Sequence, residues 1–194
     1  MMAGMARWKP GARERLVAAA VDLFTEQGYD TTTVAQIAER AGVTKSTFHR
    51  YFPDKRDLLV AGQQTLSRLL TEGVAAAPQD AGPLAAVAEG LVAASAEMGP
   101  VNHEMAPRVQ AAIAANAELQ QRDALKSVGL AAAMVDALIA RGVPQPTAHL
   151  AAELGVLAFK QGFAQWLDAD RDAALAPYVL AALDDLKEAT RTLT

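Results

Sequence analysis

Apolar side chains recur at helical spacing along most of the chain. From Ala12 the series Leu16, Ala19, Ala20, Leu23 and Phe24 repeats every three to four residues and stops at Gly28, a residue suited to a helix end. In "TTTVAQIAERAG" Thr33 is placed as an N-cap with Gln36 three positions on, the capping-box pattern, and Val34, Ile37, Ala38 and Ala41 share an inward face before Gly42. A third helix opens at Thr44 and must finish at Phe52, because Pro53 disfavours helical geometry in the residue before it. Asp54, with Asp57 at the third position, predicts a fourth helix through Leu58, Leu59, Leu66, Leu69 and Leu70 to about Ala76. Its length predicts a link between two domains. Beyond "PQDAGP" the pattern predicts helices near 84–98, 101–115, 117–141, 147–168 and 174–192, broken by Gly99-Pro100, Asn116, "RGVPQP" and "DADRDAA". Residues 1–11 show no periodicity and are expected to form a mobile arm.

Composition sharpens this to an all-α fold. Alanine is abundant, aromatics are only 5%, and β-branched runs are few. The absence of cysteine removes disulfides, thiolate metal sites and a cysteine nucleophile, and suits a reducing cytoplasm. The most apolar N-terminal run, "LVAAAVDLF", is short and broken by Asp22, so no export signal is expected. No stretch approaches the roughly 18 apolar residues of a membrane span, and no membrane partner is expected. Charge divides unevenly. Residues 1–56 hold nine Lys/Arg against six Asp/Glu, a balance of +3, while the remainder carries −7. Such a split is weak by itself but directs the basic end towards a polyanion.

The third helix is unusual for a chain that is 52% hydrophobic, since only Phe48 and Phe52 are strongly apolar in it. At about 100° per residue Phe52 falls about 40° from Phe48, Ser46 and Arg50 lie on the far side, and Thr47 and His49 flank them. So short a helix needs neighbours to hold it; Val34, Ile37 and Ala38 of the second helix, Leu23 and Phe24 of the first, and Val43 in the turn can supply them. These features describe a helix-turn-helix unit whose second helix offers a polar face to the major groove. Thr33, Thr44 and Asp54 begin three helices whose first amides can meet phosphate oxygens. Lys45 and Lys55 stand in first turns, where a cation is mildly unfavourable, which points to an external anion. The competing reading is the solvated face of an ordinary three-helix domain.

Residues 12–60, above all "TTTVAQIAERAGVTKSTFHRYFPDKRDLL", resemble the N-terminal DNA-binding domain of the TetR family of bacterial one-component transcriptional regulators. The matching features are Thr33, Ile37-Ala38, Ala41-Gly42-Val43, Lys45, Ser46 and Phe52-Pro53-Asp54-Lys55; the departures are Phe48-His49 and Tyr51, where the family often has Leu-Tyr and His. The resemblance implies phosphate contacts from Thr33, Tyr51 and Lys55, and groove contacts from Lys45, Ser46, Thr47, His49 and Arg50. It divides the chain into a DNA-binding domain at 12–57 and a ligand-binding and dimerisation domain at 58–194. It further implies a homodimer formed through the last two helices, and a repressor that leaves a near-palindromic operator when a small hydrophobic effector binds.

The C-terminal sequence carries its own signals. Ala151, Gly155, Ala158 and Gly162 form a small-residue edge, Phe159, Phe163 and Trp166 another, and Leu175, Val179, Leu183 and Leu186 a stripe on the last helix. Met98, His103, Met105, Ile113, Leu130, Met134, Leu138, Phe159, Phe163 and Trp166 are candidates to line an effector cavity, or else plain core. The stretch from "RVQAAIAANAELQQRDALKSVGL" to "FKQGFAQWL" loosely resembles regulators of the same family that sense acyl-CoA thioesters, which makes acyl-CoA the leading effector candidate. His103, Glu104 and His149 are scattered, so no metal is expected. There is also no glycine-rich phosphate loop, no nucleophile motif and no HExxH, so neither cofactor nor enzymatic activity is expected. The alternative is a helical ligand-binding protein or enzyme without a DNA-binding role.

Overall fold

The computed structural model describes residues 11–58 and 63–193. Among these, α1 spans Ala12–Gln27, α2 Val34–Arg40, α3 Lys45–Tyr51, α4 Gln63–Ala76, α5 Pro83–Ser95, α6 Pro100–Ala114, α7 Ala117–Ala140, α8 Gln145–Leu167 and α9 Ala176–Arg191, with a 3-10 turn at Lys55–Leu58. The all-α architecture read from periodicity is the architecture found. The expected mobile arm lies almost wholly outside the described residues.

The chain forms two compact units, one from residues up to Ala61 with Arg108–Leu119, the other from Gly62–Pro107 with Gln120–Thr194. The contiguous division at 57/58 therefore needs amendment, because the end of α6 and the start of α7 pack with α1–α3. Ala112 and Leu119 join Leu16, Leu23, Phe24, Ile37, Phe48, Phe52 and Leu58 in one buried cluster. Polar pairs fasten the returning segment: Arg108 to Asp22, Glu118 to Arg56 at 3.2 Å, and Asn116 to Asp30 at 3.4 Å. Periodicity finds the helices of such a segment but not the distant surface onto which they fold.

Local chemistry fixes the first three helices. Thr33 Oγ1 accepts from the Gln36 amide while the Thr33 amide donates to Gln36 Oε1 at 2.8 Å, closing the expected capping box. After α2 the Gly42 amide donates to the Glu39 carbonyl and the Val43 amide to the Ala38 carbonyl; Gly42 adopts φ +66°, a left-handed value that glycine takes without a Cβ clash. Thr44 then caps α3 by accepting from the Thr47 amide at 3.1 Å. Phe52 is already extended, at φ −138° and ψ 122°, ahead of Pro53.

The expected fourth helix is not α-helical at its start. Lys55–Leu58 is a single tight turn, closed by the Asp57 amide on the Asp54 carbonyl at 3.2 Å, and the described part of α4 begins at Gln63. Asp57 does accept from the Asp54 amide at 3.0 Å, so the capping residues act as read but on a 3-10 turn. Leu59 lies outside the described residues.

In the second unit, helices approach closely where side chains are missing. A Cβ on Gly73 would fall 2.6 Å from Gly90 Cα, so α4 and α5 meet backbone to backbone. A Cβ on Gly162 would fall 2.5 Å from Val179 Cα and one on Gly155 2.6 Å from Val87 Cγ1, so the small-residue edge of α8 is spent on α9 and α5 of the same chain. The stripe Leu175, Val179 and Leu183 is buried there too, with Leu186 packed against it. The apolar residues α8 leaves outside are Leu150, at 59% exposure, and Leu157, at 41%. Among the described residues no helix is long and apolar enough to cross a membrane.

Candidate nucleic-acid interface

The two phenylalanines of α3 form its root. Phe48 is fully buried, Phe52 is 3% exposed, and their ring centroids stand 5.9 Å apart. Burying each ring contributes on the order of 1.5–3 kcal/mol, more than a seven-residue helix could gain from propensity alone. With that edge pinned, Thr44, Lys45, Ser46, His49, Arg50 and Tyr51 are exposed and Thr47 is half-buried. Thr33, at the start of α2, is exposed as well.

Electrostatics favour the same face. From Ala41 to Pro53 the chain contains Lys45 and Arg50 and no acid. Two other cations of this unit are neutralised: Arg40 pairs with Glu26 through two hydrogen bonds of 2.9 and 3.0 Å, and Arg56 pairs with Asp54 at 2.9 Å besides Glu118. The Arg40 hydrogen bonds hold Glu26 below the usual carboxylate range, and Glu26 in turn raises Arg40. Lys45 has no ion-pair partner among the described residues, and Arg50 lies over the Tyr51 ring at 5.1 Å. Arg13 of α1 lies 5.6 Å over Phe52, which adds a guanidinium that the reading of α3 alone does not find. His49 stands edge-on to Phe48 at 5.3 Å.

Three hydroxyls already have local work. Thr44 and Thr47 share a hydrogen bond of 3.1 Å between their hydroxyls, and Thr33 Oγ1 donates to Gln36 Oε1 at 2.9 Å. Their caps fix where α2 and α3 begin.

Lys55 departs from its expected role. Its ammonium donates to the carbonyls of Tyr29 at 2.7 Å, Thr32 at 2.9 Å and Asp30 at 3.3 Å, and lies 4.3 Å over the Tyr29 ring. With all three N–H bonds directed inward, it braces the loop that leads to Thr33, and the phosphate contact expected of its ammonium gives way to that role.

The expected effector residues divide between the units. Ile113 packs on the α1–α3 cluster, because the end of α6 belongs there, and is removed from the set. In the second unit Met134, Leu138 and Trp166 are fully buried core, with Met98, Phe159 and Phe163 packed against it. Phe159 and Phe163 stack at 6.0 Å, Phe163 and Trp166 stand at 5.4 Å, and half-buried His103 meets Trp166 edge-on at 4.8 Å with Nε2 3.1 Å from its carbonyl. Met105 is half-buried. An open apolar groove of about 420 Å³ lies elsewhere, between Gly82–Ala85, Leu150–Leu154 and Lys187, and contains none of these residues.

Residues 16–61, which include all of α2, the turn and α3, match the family described as bacterial regulatory proteins, tetR family. The chain carries a TetR-family domain. Over 93 residues it is 33% identical to the HTH-type transcriptional repressor LfrR of Mycolicibacterium smegmatis, 47% of this chain and 49% of that protein. The matched stretches span only a fifth to a half of the curated relatives' own length. Two crystal structures share the TetR-like fold more widely. NalD, the secondary repressor of the MexAB-OprM multidrug efflux pump in Pseudomonas aeruginosa, superposes with a TM-score of 0.53 at 21% identity, over 90% of this chain and 96% of NalD. The transcriptional regulator FadR from Bacillus subtilis, solved with stearoyl-CoA, gives 0.53 at 20% identity, over 88% and 95%. Identities this low establish the fold alone, and the likeness to the TetR family rests on the amino-terminal match.

Proposed function

We propose that this protein is a DNA-binding transcriptional repressor that grips a near-palindromic operator as a homodimer, works in the cytoplasm, and is released by a small apolar effector. The observation that carries the reading is the acid-free, exposed face of α3, rooted by Phe48 and Phe52. A helix presented this way enters a major groove with Lys45, Ser46, Thr47, His49 and Arg50 towards base edges, and with Thr33, Thr44 and Tyr51 beside the phosphates. Lys45 or Arg50 suits guanine, and the Thr47 methyl suits a thymine methyl.

Two copies are needed to read two half-sites about 34 Å apart. The outward edge of α8, with Leu150, Leu154 and Leu157 beside the groove under α9, is the surface proposed for pairing. The effector proposal draws on the aromatic train Phe159–Phe163–Trp166 and on the long acyl chain in the B. subtilis FadR structure, which is that protein's ligand. Release follows if the effector binds better to a state with the wrong half-site separation, a coupling of typically 1–3 kcal/mol.

Selection of bound duplexes from random DNA tests the reading. A recovered inverted repeat with half-site centres one helical turn apart is expected; recovery of no enriched sequence at low salt contradicts it.

A further inference from the structure

We infer that the first unit holds a small organic cation with an apolar body, of the aryl- or alkylammonium class, in the cavity between the end of α1 and the corner that joins α6 to α7. This goes beyond the function proposed above and stands without it; only its bearing on DNA rests on that reading.

The cavity has a volume of about 240 Å³ and lies wholly within that unit, with Phe24 and the Gln27–Thr31 segment on one side and Ala112, Ala115 and Asn116 on the other. A space of about 150 Å³ already admits a benzene ring, so a one-ring molecule fits. Phe24, Tyr29 and Ala112 are buried and give the cavity an apolar wall, while Asp30 and Ala115 are exposed where it opens to solvent.

Asp30 is the only charged side chain that lines the cavity. Its carboxylate accepts one long hydrogen bond, from Asn116 Nδ2 at 3.4 Å, and has no ion pair among the described residues. The Lys55 ammonium bonds the carbonyls of Tyr29, Asp30 and Thr32 and not this carboxylate. The donors of Gln27 and Thr31 are turned to the protein itself: Gln27 Nε2 to Thr32 Oγ1 at 3.2 Å and to Gln36 Oε1 at 3.4 Å, and the Thr31 hydroxyl to the Gln27 carbonyl. Two helices of 16 and 15 residues, α1 and α6, end at the cavity, and the negative ends of their dipoles add to the carboxylate. The positive start of α7 is offset by the Asn116 side chain, which accepts from the Leu119 amide at 3.1 Å, and by Glu118. The balance favours a cation over an anion of the same shape.

The ring or chain of such a cation lies against Phe24 and Ala112, and its N–H groups reach the Asp30 carboxylate as charge-assisted hydrogen bonds. An exposed ion pair contributes little by itself, so the apolar wall is what selects a cation with a body over a bare inorganic ion. The segment that closes the cavity leads to Thr33, the cap of α2, so occupancy tightens the approach to the helix-turn-helix.

The test uses the full-length protein without DNA. Benzylammonium, benzyl alcohol and benzoate are titrated at neutral pH and low salt, and amide shifts in proton–nitrogen NMR spectra report where each binds. Shifts centred on Gly28–Thr31 and Ala115–Asn116 are expected, with benzylammonium binding about tenfold or more tightly than the alcohol, the ratio that a charge-assisted hydrogen bond supplies, and benzoate weakest. Asp30→Asn, an exposed and nearly isosteric change, should fold and bind amine and alcohol alike; Asp30→Glu should keep the preference. Ala115→Leu narrows the opening from an exposed position and should weaken benzylammonium several-fold at unchanged thermal stability. Equal binding of amine and alcohol to the wild type, an undiminished preference in Asp30→Asn, or no shift of these amides with millimolar benzylammonium overturns the inference. Binding that leaves operator affinity unchanged sustains the site and removes only its bearing on DNA.

Discussion

At the scale of single residues, Lys55 shows how a charge can be spent on the chain's own loop. Its ammonium satisfies three carbonyls of the Tyr29–Thr32 loop and covers the Tyr29 ring, so the position of Thr33 depends on it. Lys55→Met should cost about 1–3 kcal/mol in urea unfolding, because the carbonyls lose charged donors, while the salt dependence of DNA binding stays that of the wild type. A stable variant with a shallower salt slope would instead return Lys55 to the phosphate contacts. The sequence marks Lys55 as important but not how it acts. A lysine in a first turn reads the same whether its partner is a phosphate or a loop carbonyl 23 residues earlier.

At the scale of elements, the short helices were the most legible part of the chain. Thr33 with Gln36, Thr44, Gly42 and Pro53 each act through neighbours within a few residues, so their spacing carries the information. Thr44→Ala should destabilise the first unit by about 1 kcal/mol through loss of the α3 cap, and should lower operator affinity as well, since α3 has no other local hold at its start. Thermal unfolding and a binding isotherm measure both; affinity unchanged at full occupancy of the folded state would separate the cap from recognition. The first turn of the fourth helix and the placement of α6 were not legible, though the body of α4 to Ala76 was. An apolar period does not tell whether the turn at its start is α-helical or 3-10. Nor does it disclose that Ile113, periodic with its neighbours on α6, leaves the effector set for the α1–α3 core. Ion pairs such as Arg56–Glu118, which hold that segment, join positions 62 residues apart.

At the scale of the whole molecule, the account requires two copies. The stripe of α9 and the small-residue edge of α8, which looked free to pair, are consumed inside the chain, and the burden passes to Leu150, Leu154 and Leu157. Leu150→Glu with Leu157→Glu should yield a folded monomer in sedimentation at micromolar concentration, with operator affinity reduced by a hundredfold or more as the second half-site is lost. A dimer that survives the double change would place the interface elsewhere.

The central claim is that the exposed face of α3 enters a nucleic-acid groove. Its most direct test is the affinity of the protein for its selected duplex as a function of salt, with Lys45→Ala/Arg50→Ala alongside the wild type. The account predicts strong binding at low salt, a steep decline as salt rises, and in the double variant a large loss of affinity with a slope shallower by about one for each phosphate contact removed. Wild-type protein that ignores duplex DNA at low salt, or a double variant with the same affinity and slope, would contradict it.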